Sequence, residues 1–440
     1  MLSDEAMSVL SDRLVRRYEN LNTYIIKQIG ETLKQIGKLT PTQAMQLEAM
    51  LKYGGSFDKI TKEISKITKL SIKDIYEIYE KMAIENQRFA STFYKYREMD
   101  MIPYKYNEPL KREVQALAKI TADTFINISG TEMLGYGFVD DKTGKITYKG
   151  LKQAYYDIID EGILAVSQGK DTFDNRVSKI MKDIGESGLK VIYPTTYQTR
   201  DKKTGKIITK HYARRLDSVI STTMQTGIRD INNELQELFG DEYGANMIEV
   251  KHHGNPAPDH EDTVDGKQFA RIDIIKEQIA NGTEKQIKLS DIDGNRVKVD
   301  GKWYYDYDYI NDSLTRPVGT LNCKHRIRTG ILGLTKPEYT EEQLEKAHQK
   351  NKDGFEYNGK QYSLYEGEQL MRNIELELRK AKDIQIGAKA SGNEELLYKS
   401  QTRINMLTDK YAKLLKASKL PSQIERAKTI GYHRVSVKNI

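Results

Sequence analysis

Leu14, Tyr18, Leu21, Ile25, Leu33 and Ile36 follow one another in steps of three or four residues, or sums of those steps. That spacing lays them along one side of a single long α-helix. So narrow a stripe makes no core by itself and must be buried against other helices. The pattern returns near the other end of the chain. Leu370, Ile374, Leu378 and Ala381 form one stripe, and Leu397, Ile404, Leu407, Tyr411 and Leu414 form another. Between the two stripes Ser391-Gly392-Asn393 supplies a turn, so the pair is predicted to be an antiparallel helical hairpin. A hydrophobic fraction of 38% beside 30% charged residues suits long helices with narrow buried faces better than one thick globule.

Four regions are expected along the 440 residues. Residues 1–124 read as a helical module. Thr40-Pro41-Thr42-Gln43 has the order of a capping box with proline at the first helical position. Gly54-Gly55 is expected to break that helix, and Ser71 with Asp74 to start another. Residues 125–244 mix hairpins and helices. GFVDDKTGKITYKG and VIYPTTYQTRDKKTGKIITKHYA each place two β-prone runs around a Lys-Thr-Gly turn. A helix is predicted between them, and a long one after them that ends at Gly240. Residues 245–335 are the compact, less helical core, and residues 336–440 the C-terminal helical hairpin. The predicted class is therefore α+β, predominantly α-helical, with a small mixed α/β domain flanked by helical arms.

Several function classes find no footing. No apolar run approaches the roughly 20 residues of a membrane span, and MLSDEAMSVL lacks the basic and apolar regions of a signal peptide. One cysteine, Cys323, excludes an internal disulfide. No P-loop, dinucleotide fingerprint or GxSxG elbow is present. A net charge of +7 on 70 basic and 63 acidic residues permits weak, salt-sensitive contact with phosphate and no more.

What chemistry there is gathers in residues 245–335. Four of the seven histidines lie there, His252, His253, His260 and His325, beside Asp259, Glu261, Asp262 and Cys323. Imidazole and thiolate are zinc ligands, so His253, His260, Cys323 and His325 are the candidate metal set, although no CxxC or HExxH spacing supports them. Asp259, Glu261 and Asp262 would be the carboxylates for a magnesium ion. The favoured alternative needs no cofactor: a proline-punctuated loop knotted by hydrogen bonds, with Asn322 and His325 tying the second stretch to the first. No catalytic residue is assigned. His253, Asp259, His260 and His325 would serve the rival reading, a metal-dependent hydrolase or nuclease. Two basic groups, Arg214-Arg215 beside His211-Tyr212 and Lys324-His325-Arg326 with Arg328, leave a third reading open, a non-specific DNA-binding module.

The same residues carry a resemblance. EVKHHGNPAPDHEDTVDGKQF, followed some way on by GTLNCKHRI, resembles the phage minor capsid protein 2 family. That family's pattern runs His, Gly, Pro-Asp-His, Gly-Lys and an aromatic residue, then an Asn-Cys-Arg-His block. His253, Gly254, Pro258, Asp259, His260, Gly266, Lys267 and Phe269 match the first part; Asn322, Cys323 and His325 match the second. Lys324 stands where the family has arginine, Ala257 where an arginine precedes Pro-Asp-His, and Val264-Asp265 where Trp-Gln precedes the glycine. YGGSFDKITKEISKITKLSIKDI and YSLYEGEQLMRNIELELRKAK are similar to the family's N-terminal and C-terminal helical regions, so the likeness spans nearly the whole chain.

The family is in turn similar to Mu F-type head morphogenesis proteins. The resemblance implies a non-enzymatic minor head protein of a tailed bacteriophage, inside the capsid near the portal vertex. It would be made in the host cytoplasm and act in head assembly and in genome packaging or ejection. Its partners would be the portal protein and other head proteins, with non-specific contact to phage DNA.

Overall fold

The computed structural model describes residues 4–44, 57–140, 142–200, 207–254, 256, 258–320, 323 and 325–436. With 63% helix and 13% strand in several small sheets, the chain is a predominantly helical α+β protein. By its internal contacts it divides into two units, each assembled from separated segments. One is built chiefly from Asp74–Thr121 and Thr222–Gly367; the other from Asp12–Lys73, Ala122–Ser221 and Glu368–Ile440.

Helix α1 (Asp4–Ile36), part of the second unit from Asp12 onward, buries all six residues of the expected stripe, Leu14 through Ile36. A further helix opens at Pro41 on the expected box: the Gln43 amide donates to Thr40 Oγ1, and the Thr40 amide to Gln43 Oε1. Gly54 and Gly55 lie outside the described residues. Helix α2 (Asp58–Tyr96) runs without a break through Ser71, which corrects the expected start there. Ser71 Oγ donates to the Ile67 carbonyl at 2.9 Å, so the hydroxyl back-bonds within the helix and does not cap one.

Helix α3 (Glu108–Ile128) leads into β1 (Leu134–Val139) and β2 (Ile146–Gly150), the first predicted hairpin, paired antiparallel with Val139 opposite Ile146. Helices α4 (Leu151–Ser167) and α5 (Lys170–Ser187) follow. Strands β3 (Lys190–Arg200) and β4 (Ile207–Arg215) then form the second hairpin, completing an antiparallel sheet of order β2-β1-β3-β4. The Lys203-Thr204-Gly205 tip lies outside the described residues. The C-terminal helices, Leu364–Ser391 and Glu394–Ser418, are joined where expected: Gly392 has φ +77°, and Asn393 caps the second helix by accepting the Leu396 amide.

Helix α6 (Leu216–Tyr243) passes through Gly240 and does not stop at it. A Cβ at Gly240 would lie 3.1 Å from Thr329, so this glycine permits close approach; the left-handed residue that ends the helix is Gly244, at φ +71°. In the first unit β5 (Met247–Val250) is the middle strand of an antiparallel sheet between β10 (Ile327–Gly330) and β6 (Gln268–Ala270). The outer edge of β10 is not left open. Side-chain amides of α6 take its backbone groups: Asn232 donates to the Ile327 carbonyl, Asn233 accepts the Ile327 amide, and Gln236 accepts the Thr329 amide. Ile248, Val250, Val264, Phe269, Val318 and Ile327 pack as one apolar cluster on this sheet. The small sheet β7-β8-β9 (Ile292–Asp293, Arg296–Val299, Lys302–Tyr305) contributes Val297 and Val299 to another. YYDYDY changes state midway: the strand ends at Tyr305, and Asp306 caps the short helix Tyr307–Ser313 by accepting the Tyr309 amide.

Candidate functional site

The register of β5 against β10 fixes the start of the site. Val250 lies opposite Ile327, and the Lys251 amide donates to the Arg326 carbonyl at 2.9 Å. The same register carried outward sets His325 across from His252. After β5 the chain passes Gly254, at φ +47°, and turns through the short helix Pro258–Glu261. The Val264 and Asp265 amides both donate to the His260 carbonyl, which fixes the sequence spacing of His260 and Asp265 in space. Gly266 follows at φ +74°, where a Cβ would meet Leu344 Cδ2 at 2.3 Å. Its hydrogen side chain is therefore required twice, by backbone conformation and by packing.

The Asp265 carboxylate is the hub. Oδ1 accepts from His325 Nε2 at 2.9 Å and from the His253 amide at 2.9 Å; Oδ2 accepts from His252 Nδ1 at 2.5 Å and His348 Nε2 at 2.9 Å. Four donors fill its lone pairs, and its side chain is 0% exposed. Burial alone would raise this carboxyl, but the three imidazoles outweigh it and hold the group far below the usual carboxylate range.

Next to the hub lies a triangle of ligand-type atoms. His260 Nδ1 and His325 Nδ1 are 3.2 Å apart, and Cys323 Sγ is 3.8 Å from the first and 3.4 Å from the second. Cys323 and His325, two residues apart in a non-helical stretch, point to the same side. Burial raises the Cys323 thiol, yet the His260 and His325 contacts outweigh it and bring it down to about 5, so the sulfur is a thiolate at neutral pH. Burial opposes charge on His325, while Asp265 and Cys323 push it up to about 9. His260 is raised chiefly by Cys323.

The structure thus brings together, from the candidate metal set, His260, Cys323 and His325. His253 stands outside that triangle, its ring centroid 5.8 Å from that of His325. Phe269 is buried in β6 and packs on Tyr307; the Lys267 ammonium donates to the Asp262 carbonyl. Asn322 and Lys324 lie outside the described residues, as do the side chains of Pro258 and Asp259. The magnesium set divides: Glu261 is buried, whereas Asp262 is exposed and paired with Lys352 at 3.0 Å. Among the described residues the groups able to hold a cation are His260 with Cys323 and His325, and His252 with Asp265 and His348.

Sequence reasoning missed the hub itself. Asp265 stood out only as a departure from the family's Trp-Gln. His348 comes from the helix Glu341–Asp353, whose polar run EEQLEKAHQKNKD carries no motif, and that helix starts on a Thr340–Gln343 capping box. Three arginines of the two basic groups are largely buried. Arg215 pairs with Asp217 and Asp383, Arg326 is buried, and Arg328 pairs with Glu249.

The loop after β5 and the loop before β10 leave the same end of the sheet and are tied together by the buried His325 imidazole on Asp265, in a predominantly helical α+β protein. The profile of the phage minor capsid protein 2 family matches residues 2–416, and the chain belongs to that family. It is therefore a phage minor capsid protein, whose place is in the virion and whose partners are other head proteins. No curated protein and no solved structure matches it. Among the described residues no helix is long and apolar enough to cross a membrane.

Proposed function

We propose that this minor capsid protein is an internal component of the head at the portal vertex, acting in head assembly and in packaging or ejection of the genome, without catalysing a reaction. The carrying observation is burial of the site. His260 and His325, two of the four residues a hydrolase would use, are at most 4% exposed and face each other, and the Asp265 carboxylate behind them is fully buried. Family membership over nearly the whole chain supports the same reading.

In this reading the locked α+β body is a rigid platform, and the helical segments meet the portal and other head proteins. Contact with DNA would be non-specific, made by exposed lysines and not by the three largely buried arginines. The full chain, mixed with assembled portal oligomers of the same phage, is expected to co-elute with them at both low and moderate salt. Failure to associate at either salt concentration would overturn the portal assignment. Metal-dependent cleavage of duplex DNA by the purified chain, lost in His260→Ala, would overturn the non-enzymatic one.

A further inference from the structure

The two imidazoles of the triangle are oriented from behind. His260 Nε2 donates to the Arg316 carbonyl at 2.6 Å, and His325 Nε2 donates to Asp265 at 2.9 Å. Each outer nitrogen therefore carries a proton, so in the neutral form of either ring the inner nitrogen, Nδ1 in both, is the acceptor. Those two lone-pair sites face each other at 3.2 Å with a sulfur against them. Three acceptors converging in a buried place repel unless something positive sits between them.

The spacing identifies what fits. A tetrahedral zinc ion with bonds of about 2.0–2.1 Å to nitrogen and about 2.3 Å to sulfur sets its ligand atoms about 3.3 Å apart for two nitrogens and about 3.6 Å apart for nitrogen and sulfur. The triangle's edges are 3.2, 3.4 and 3.8 Å. Charge closes as well: a divalent ion is balanced by the Cys323 thiolate and by the Asp265 carboxylate behind His325. A carboxylate–histidine arrangement of this kind orients a metal-bound imidazole and raises its basicity. The second cation-type group lacks this form, because the carboxylate of Asp265 is already saturated by hydrogen bonds.

We propose that His260 Nδ1, Cys323 Sγ and His325 Nδ1 bind one zinc ion, with Asp265 and the Arg316 carbonyl as the groups that orient the two imidazoles. The fourth position goes to water or to a further side chain; the His253 ring is adjacent. Nitrogen and thiolate donors favour zinc over magnesium, calcium or manganese. Because His260 and Cys323 belong to the two separate loops, the ion is a covalent-strength tie between them and contributes to folding. The rival occupant of the triangle is a proton, which would make it an imidazolium–thiolate pair with no metal.

The test uses the full-length chain, stripped by chelator under reducing conditions and titrated with cobalt(II), then with zinc. Cobalt is expected to give a thiolate-to-metal charge-transfer band with tetrahedral d–d bands, saturating at one ion per chain and displaced by zinc. Cys323→Ser removes the charge-transfer band, and Asp265→Asn weakens binding by roughly 10- to 100-fold. A chain that keeps its helical circular dichroism yet shows no charge-transfer band contradicts the proposal, as does a band that survives in Cys323→Ser. Should either variant fail to fold, the wild-type titration alone decides.

Discussion

Asp265→Ala is expected to destabilise the unit that contains it by about 3–5 kcal/mol, the usual loss when one partner of a buried ionic network is deleted. Four donors, the rings of His252, His325 and His348 and the His253 amide, end on this one carboxylate. Alanine leaves all four without an acceptor in a place closed to solvent. Asp265→Asn keeps acceptor capacity on one oxygen and should lose less. Urea unfolding of the three proteins checks this. A loss under about 1 kcal/mol for alanine would mean that water replaces the carboxylate, and that the hub holds little together.

Arg215→Met should cost a similar amount in the other unit, and its cost should depend on pH. Arg215 lies 3.3 Å from Asp217 and 3.6 Å from Asp383; Arg379 lies 3.1 Å from Glu19 and 3.7 Å from Asp217. Two guanidinium groups thus serve three carboxyls around a small cavity also lined by Tyr18 and Asn22. Asp217 is best served. Burial would raise it, but both arginines and the Ser218 amide bring it down to about 2. Asp383 is buried with less help, accepting from Asn22 Nδ2 and lying beside Arg215, so burial dominates and pushes it up to about 7. Burial likewise takes Glu19 to about 7 against the pull of Arg379.

The sign follows from linkage. For Asp383 and Glu19 the folded state holds the proton more tightly, so their contribution is complete below about pH 4 and is lost as pH rises through about 7. For Asp217 the contribution is present above about 4 and is lost as pH falls through about 2. Within this cluster the first pair controls the slope between pH 5 and pH 8; in the other unit Cys323 and His325 titrate over the same interval with opposite signs. The wild type should weaken over that interval by an amount on the order of 1 kcal/mol per pH unit, and Asp383→Asn should flatten the fall. Arg215→Met should cost about 3–5 kcal/mol at pH 8 and clearly less at pH 5, where Asp383 and Glu19 carry protons. Equal penalties at both pH values would show that the acids stay charged throughout. Lys190, lowered to about 8 by burial and then by Arg215, reports the same crowding of charge.

What could be read from the sequence divides by distance along the chain. The stripe from Leu14 to Ile36, both hairpins and the turn at Ser391-Gly392-Asn393 are local patterns, and the structure carries each of them. The helix Lys170–Ser187, absent from the predicted elements, carries the same kind of local signal: Phe173, Val177, Ile180 and Ile184 keep helical spacing and are buried. Ser71 and Gly240 misled because each residue type has two uses. A serine caps or back-bonds, and a glycine stops a helix or lets another element come close; only the partner, Ile67 or Thr329, decides which.

The site was legible by composition and not by geometry. Its histidines and cysteine stand out in the sequence, whereas Asp265, which organises them, is one aspartate among many until the β5–β10 register brings His252 and His325 to it. His348 reaches the same carboxylate from 83 residues away on a helix with no motif.

Native-state amide exchange tests most directly whether the two loops are one locked body. The His253 amide rests on Asp265, the Asp265 amide on the His260 carbonyl, and the Cys323 amide on the Thr320 carbonyl. If the hub joins the loops, these three amides share one opening free energy in the wild type, and in Asp265→Asn all three drop together. Protection at Cys323 that stays unchanged while His253 and Asp265 lose theirs would show two independent loops and contradict the account.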